Sequence, residues 1–428
     1  MAKDILFKAL RHEETPRPAW VPFSGIHSGK LKGYDAQEVL TDSSKLLESI
    51  LEVNKLYKPD GQPIIFDLQV EAEALGCELM WAKDSPPMVA SHPLLFEKEI
   101  PCDCKIPDEN SGRIPMILEV MRKAKDAIGD HTALYGLICG PFTLASHLRG
   151  TNIFLDMMED ADYVIELMDF SKKVCLKMSE MYIDAGMDII GYVDPLVSQI
   201  SSDHFTEFLS KPYTELFSML REKNVFSSFF VCGDATKNIE VMCKTKPDNI
   251  SIDENINIKA AKEITDRYDV TIGGNIQLTI TMLHGSQQAN MKAAIDIIDA
   301  CGTRNLIVSP GCDMPYDTPI ENGIAVAQAV LNYEETKKMV ENYDASIDLS
   351  NEVVDIPVYK QLKKPLVELF TLDSASCAAC GYMLNAVVDL HKEGVVDFDY
   401  VEYKFTKKEN IARCIQVGVK NLPSLYIN

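Results

Sequence analysis

Nowhere in its 428 residues does the chain run uninterrupted through the ~20 apolar side chains that a helix needs to cross a bilayer. The opening Met1-Ala-Lys-Asp-Ile-Leu-Phe-Lys-Ala-Leu-Arg-His-Glu-Glu14 mixes charges into a helical apolar pattern and lacks the continuous apolar core of a secretory signal. Positive charge is also short, with 42 Lys and Arg against 64 Asp and Glu and a formal net charge of −22. That balance opposes phosphate backbones and anionic membranes, so neither nucleic acid nor membrane is expected as a partner, and a cytoplasmic location is expected. Internal repeats of a fixed short period and low-complexity tracts are absent as well, which leaves a globular reading.

What the sequence does have is regular alternation. Short β-rich runs stand at Ala19–Ser28, Ile64–Val70, Leu134–Pro141, Met187–Pro195, Val225–Asp234, Asn249–Glu254, Thr271–Ile276 and Leu306–Cys312, separated by helix patterns such as Ala36–Asn54, Pro115–Ile128, Ile153–Met187 and Asn257–Arg267. Near-continuous apolar strands alternating with helices predict a parallel sheet covered by helices, and eight repeats predict a (β/α)8 TIM barrel. The polar stretch Lys83–Asp108 reads as an excursion after the second strand, and a helix from Pro319 to about Asn342 follows the eighth. The predicted boundaries are 1–345 for the barrel, 346–356 for a polar linker and 357–428 for a small α/β domain.

Twelve cysteines are present, and a long chain of cytosolic type does not need them as a disulfide framework. Position discriminates among them. Cys232 closes Val225-Phe-Ser-Ser-Phe-Phe-Val-Cys-Gly-Asp234 and Cys312 closes Leu306-Ile-Val-Ser-Pro-Gly-Cys312, so both thiols are expected at the C-terminal rim of a barrel, where such folds do their chemistry. Two thiols there suggest a soft-metal site or a redox pair.

The small domain reads strand, Cys-x-x-Cys, helix, strand, helix, Pro, strand. Cys377 falls at the expected start of a helix, where free N–H groups favour thiolate, and Cys380 lies one turn in, as a resolving partner. With Asn421-Leu-Pro423-Ser-Leu as a cis-proline loop, residues 357–428 resemble the thioredoxin and glutaredoxin family. The resemblance implies a short or truncated version of that fold, with Cys377 and Cys380 as the catalytic pair. Ser376 and Ala378-Ala379 replace the usual tryptophan and proline.

In the barrel, Arg17-Pro-Ala-Trp-Val-Pro, Phe66-Asp67-Leu-Gln-Val-Glu-Ala-Glu-Ala-Leu-Gly76, Gly140-Pro-Phe-Thr-Leu-Ala145, Asp194-Pro-Leu-Val-Ser198, Gly274-Asn275-Ile276 and Ser309-Pro-Gly-Cys312 together resemble the uroporphyrinogen decarboxylase superfamily across nearly all of residues 1–340. Asp67 matches the catalytic aspartate of its decarboxylases. The arginine-rich segment that those enzymes need for a polycarboxylate is replaced by Phe23-Ser-Gly-Ile-His-Ser-Gly29. The corrinoid-dependent methyltransferase branch instead has His-x-Cys-Gly after one strand and Pro-Gly-Cys after a later one, three ligands holding zinc for thiol activation. Cys232 and Cys312 match two of them, and Phe230 stands at the histidine. Cys139, at the end of the third predicted strand, ranks first as a replacement ligand. His27, Asp194 and Asn275 are the candidate substrate contacts.

The resemblance therefore implies methyl transfer between a corrinoid on a separate protein and a small methyl donor or thiol acceptor. The separate carrier is expected on the reading that the chain has no cobalamin-binding Asp-x-His-x-x-Gly string. Two alternatives stay open: a metal-free barrel acting in thiol–disulfide exchange or regulation, and decarboxylation of a small carboxylated substrate through Asp67.

Overall fold

The computed structural model describes residues 2–350, 352, 354, 356–373, 378–420 and 422–428, apart from the side chains of Ala378 and Ala379. The chain divides into two compact units, Met1–Ala345 and Ser346–Asn428.

In the first unit eight strands pair in parallel: β1 (Ala19–Trp20), β2 (Gly61–Pro63), β3 (Ala133–Cys139), β4 (Ile189–Val193), β5 (Phe226–Val231), β6 (Asn249–Ile252), β7 (Thr271–Ile276) and β8 (Leu306–Pro310). Their order is β1-β8-β7-β6-β5-β4-β3-β2, the sequence order of a (β/α)8 barrel. The seam between β1 and β2 is closed by one buried carboxylate. The Asp60 amide donates to Trp20 O at 3.0 Å, and the Trp20 amide donates to Asp60 Oδ2 at 2.8 Å. The Arg17 guanidinium then clamps both oxygens of Asp60, at 2.6 and 2.8 Å. Asp60 is fully buried, so Arg17 is what makes its charge tolerable there.

The interior fills from both ends. The helix Ala2–Leu10 brings Leu6 and Leu10 against Ala19, Ala133 and Ile189, the first residues of their strands or nearly so, and plugs the N-terminal end. Towards the other end the same core continues through Tyr135, Leu137 and Val193 to Phe23, Phe66 and Phe230, with Cys232 and Cys312 packed against it.

Seven predicted strands overlap observed ones, the first only at Ala19–Trp20 because His27 and Ser28 already lie in a short helix, and the second does not. β2 is Gly61–Pro63; the chain leaves the sheet after the Ile64 amide bonds Tyr135 O at 3.2 Å. The apolar residues after it are buried because this segment turns Phe66 and Leu68 into the core, not because they alternate along a strand. Predicted long helices are broken where a side chain caps the next one: Asp42 Oδ1 takes the amides of Ser44 and Lys45 at 2.9 and 3.0 Å, and Asp160 begins Ala161–Asp184. The excursion holds a two-stranded ladder, Leu79–Met80 with Met88–Val89, and a disulfide between Cys102 and Cys104 that the sequence reading does not anticipate. Among the described residues no helix is long and apolar enough to cross a membrane.

Among its described residues the second unit has three strands, β9 (Leu366–Thr371), β10 (Asp399–Lys404) and β11 (Ser424–Ile427), with β9 central, parallel to β10 and antiparallel to β11. Helices Ala378–Glu393 and Lys408–Val417 alternate with them. Val367, Leu369, Val387 and Phe398 form its core. A buried Arg413–Glu368 pair at 2.7 Å links β9 to the helix Lys408–Val417. The Leu422–Pro423 peptide is cis. Cys380 is buried in the first turn of the first helix, and Cys377 lies outside the described residues.

The seam gives a stability prediction. Asp60→Ala leaves Arg17 and the Trp20 amide without their acceptor, and urea unfolding of the variant is expected to show a loss on the order of 3–5 kcal/mol. A loss under about 1 kcal/mol would place the closure of the barrel elsewhere.

Candidate active site

Both rim cysteines are set by the turns that follow their strands. Cys232 comes directly after β5, and Gly233 beside it has φ +89° with Ser198 Oγ 2.7 Å from where a Cβ would stand. The Gly233 amide donates to Asp253 Oδ2 at 2.7 Å, while Asp253 Oδ1 takes the Asn255 amide at 2.9 Å and its side-chain N–H at 2.6 Å. Cys312 follows Gly311, whose amide donates to Ile276 O at 3.0 Å and where a Cβ would meet the Glu254 amide nitrogen at 2.6 Å. These turns bring together two cysteines 80 residues apart, and they are joined as a disulfide with Cα atoms 5.9 Å apart.

Beneath them lies an aromatic cluster. The Phe230 ring is 4.7 Å from that of Phe23 and 5.7 Å from that of Phe66, centroid to centroid, and Phe230 is 1% exposed. The position that would carry a histidine ligand is thus part of the hydrophobic core. Cys139 does not replace it. Its thiol is fully buried with Sγ 3.7 Å from Gly140 O, and Cys175 donates to its carbonyl at 3.3 Å. Burial, with Glu71 nearby, pushes the Cys139 thiol well above its usual range. Among the described residues no three His, Cys, Asp or Glu side chains come together as a metal site. The donor set at the rim is therefore two sulfurs bonded to each other, which does not fit a zinc ion held by three protein ligands. The expected Cys232, Cys312 and Cys139 set is thus not assembled as a metal site among the described residues.

Asp67 stands four residues past the end of β2, with its side chain fully buried. Oδ1 takes the Gln69 amide at 2.9 Å, and Oδ2 takes Arg113 Nη1 at 2.6 Å. The same guanidinium donates through Nε to Glu73 at 2.6 Å, and its Cζ lies 5.0 Å from the centre of the Trp81 ring. Glu71, between these acids, is 1% exposed. Burial pushes its carboxyl up to about 8, Asp67 adding to the shift while the nearby amides of Glu71 and Cys139 and the Arg113 charge offset part of it.

The three candidate substrate contacts are held by the protein itself. His27 Nδ1 lies 3.0 Å from Tyr316 O, a carbonyl that only accepts, so Nδ1 carries the proton and Nε2 accepts from Tyr57 OH at 2.7 Å. Asp194 accepts from the Phe142 amide, the Thr143 amide, Thr143 Oγ1 and Tyr213 OH at 3.0, 2.9, 2.6 and 2.6 Å, which caps the helix Pro141–Arg149 from a neighbouring strand. Asn275 Nδ2 donates to Asp253 O and Ile256 O at 2.9 and 2.7 Å and ties the end of β7 to the loop after β6. Arg113 and Glu71 are what the sequence reading undervalues. Arg113 meets Asp67 across 46 positions, a pairing with no local signal.

Family comparison fits this geometry. The sequence profile of uroporphyrinogen decarboxylase matches residues 1–333. The chain belongs to the uroporphyrinogen decarboxylase family. Among its relatives, the methylcobamide:CoM methyltransferase MtbA of Methanosarcina acetivorans is 25% identical over 339 residues, 78% of this chain and 98% of that one. The methylcobamide:CoM methyltransferase MtaA of Methanosarcina barkeri is 28% identical over 275 residues, 61% and 76% of the two chains. A solved methyltransferase from Methanosarcina mazei superposes with a TM-score of 0.70 at 23% identity, over 78% of this chain and 99% of that one, and shows that the fold is shared.

One family-related expectation needs correcting. An Asp-x-His-x-x-Gly string is present, at Asp389-Leu-His391-Lys-Glu-Gly394. In the structure it ends the helix Ala378–Glu393, with Gly394 at φ +67°, and the His391 ring packs edge-on against Phe398 and Tyr400 at 5.4 and 5.2 Å. The string is thus built into a helix terminus and the strand beside it.

Because both nitrogens of His27 are occupied and its pKa is lowered by burial from 6.5 to about 4, it is a pH-sensitive structural group. A lowered histidine pKa means that the unfolded chain binds the extra proton between pH 6.5 and 4, so stability is full above that window and falls as pH drops through it, by on the order of 3 kcal/mol for this residue. Urea midpoints of wild type measured across the window are expected to fall with pH more steeply than those of His27→Gln. Parallel slopes would contradict the assignment.

Proposed function

We propose that the chain moves a methyl group between a corrinoid carried by a separate protein and a small donor or thiol acceptor, at the barrel mouth where Cys232 and Cys312 meet. The observation that carries this reading is the family membership of residues 1–333, with relatives named methylcobamide:CoM methyltransferases aligning over as much as 98% of their own length. Methylcobamide and CoM are the reactants in those names; for this chain a corrinoid and a thiol are the reading they support.

The corrinoid would supply a methyl group bound to cobalt, with cobalt keeping the bonding electron pair as the methyl leaves. The chain's part is to present a reacting sulfur or other small nucleophile to that methyl and to keep water away. The aromatic cluster of Phe23, Phe66 and Phe230 gives the mouth an apolar floor, so a nucleophile above it is poorly solvated and correspondingly reactive. Cys232 and Cys312 act in this reading as thiols, which requires their disulfide to be opened first. The second unit offers a reductant: oxidation of a Cys377–Cys380 dithiol to a disulfide releases the two electrons and two protons that convert the Cys232–Cys312 bond to two thiols. Its β-α-β-α-β order with a cis Leu422–Pro423 peptide supports a thioredoxin-like role for this unit.

Decarboxylation is the second reading, favoured by Asp67 and by uroporphyrinogen decarboxylases among the relatives, such as that of Wolbachia pipientis wMel at 24% identity over 304 residues. Against it, Asp67 is already engaged by Arg113, and the segment after β1 has no arginine for substrate carboxylates.

The test is methyl transfer from methylcobalamin, or from a methylated corrinoid protein, to thiols and from candidate donors, followed by loss or gain of the methyl–cobalt absorbance. Cys232→Ser and Cys312→Ser are each expected to lose at least a hundredfold in rate with unchanged thermal unfolding. Full rates in both variants would reject these cysteines as the reacting pair. Phe230→His adds the imidazole that the zinc-holding branch has, and equilibrium dialysis of the reduced variant is expected to show tighter zinc binding than wild type. Weaker binding would mean that the aromatic packing sets a different geometry.

A further inference from the structure

The excursion after β2 carries a second sulfur pair that the chemistry of the mouth does not use. In Ile100-Pro-Cys-Asp-Cys-Lys-Ile-Pro107, Cys102 and Cys104 are joined as a disulfide across a single residue. Among the described cysteines these two alone are exposed; Cys232, Cys301 and Cys312 are half-buried and the others are buried. A thiolate from outside can therefore reach this bond directly, and access is what such an attack needs.

Cys102 and Cys104 contribute little as a staple. A disulfide constrains the unfolded chain more strongly the longer the loop it closes. This one spans a sequence separation of 2, against 80 for Cys232–Cys312, and both of its ends lie in one turn, so it joins no two elements. The turn is also held without it. The Lys105 amide donates to Cys102 O at 2.9 Å and the Ile106 amide to Asp103 O at 3.2 Å, while Pro101 and Pro107 restrict the backbone on either side. These restraints keep the two sulfurs neighbours whether or not they are bonded, so an opened pair is placed to close again. Asp103, whose charge would oppose a thiolate on either side of it, has both carboxylate oxygens matched by Lys173 Nζ, at 3.0 and 3.2 Å, from the helix Ala161–Asp184.

We propose that Cys102 and Cys104 are a reversible thiol–disulfide exchange site on the barrel surface, open to a dithiol reductant. A thiolate of the reductant attacks one sulfur of the Cys102–Cys104 bond, and the other sulfur leaves as a thiolate and takes a proton. The reductant's second thiol then attacks the mixed disulfide and releases the remaining cysteine. The pair gains two electrons and two protons, and the reductant becomes a disulfide. A dithiol in solution and the chain's own Cys377 and Cys380 are the two sources of this chemistry. The site requires neither a corrinoid nor a particular state of Cys232 and Cys312, so it stands apart from the methyl-transfer reading.

The experiment starts from the full-length chain oxidised with diamide and follows both disulfides during reduction by dithiothreitol, with acid quenching, alkylation and peptide mass mapping. Cys102–Cys104 is expected to open at least about tenfold faster than Cys232–Cys312, and to re-form when oxidised glutathione replaces the dithiothreitol. The same course in a Cys377→Ser/Cys380→Ser variant identifies direct attack by dithiothreitol, and a slower one identifies delivery through the chain's own pair; either upholds the site. In a Cys102→Ser/Cys104→Ser variant the thermal midpoint is expected to stay within about 2 °C of that of the oxidised wild type. Absence of a Cys102–Cys104 linkage in the oxidised chain, opening no faster than that of Cys232–Cys312, or failure to re-form would each overturn the proposal. So would a larger fall in the thermal midpoint, which would mark the pair as a structural staple.

Discussion

Asp60 carries the constraint on which the rest of the barrel depends. β1 is two residues long and β2 three, too little backbone to hold the first and last strands of the sheet together by a ladder. One carboxylate does it instead, taking the Trp20 amide and both arms of Arg17 in a fully buried seam. A buried carboxylate is stable only while its partners stay in place, so the seam ties the entry segment around Arg17 to the position of β2. Everything said of the mouth follows from that closure. It makes the loops after β8, β1 and β2 neighbours and brings Asp313, Phe23 and Asp67 onto one arc.

Around the mouth, buried acids divide into those the fold consumes and those it leaves open. Asp194 and Asp253 lie at strand ends and would pass for catalytic groups, yet the first is spent on the start of the helix after β3 and the second on the turn that presents Cys232. Both oxygens of Glu71 and Oδ1 of Asp313 are buried without a partner within bonding distance, while the amides of Ile26 and Met314 steady the rest of the Asp313 carboxyl. The distinction is physical: a carboxylate with four donors is already stabilised and gains little from a ligand, whereas one held in a dry site without partners has most to gain.

Much of the architecture is legible in the sequence, because parallel strands buried on both faces appear as apolar runs with helix patterns between them. The failure at Ile64–Val70 is instructive, since a loop that folds its apolar side chains into a barrel end produces the same alternation as a strand. The convergence of Cys232 and Cys312 is also legible, from strand ends and turn residues alone. What cannot be read locally is partnership at long range. His27 looks available until Tyr57 and Tyr316 take both nitrogens, and Arg113 carries no mark of its pairing with Asp67. Phe230 shows the limit of motif reading: its identity announces that a ligand is missing, but only the packing with Phe23 and Phe66 shows that a core has been built in its place.

The central claim is that Cys232 and Cys312 form a single reacting centre whose thiol state governs methyl transfer. The most direct test compares one preparation with this pair reduced and with it oxidised, the pairing verified by peptide mass mapping, in single-turnover transfer from methylcobalamin to a thiol. The account predicts transfer by the reduced protein, its loss on oxidation and its return after dithiothreitol followed by removal of the reductant. Equal rates in the two states, with the Cys232–Cys312 linkage demonstrated in the oxidised one, would contradict it.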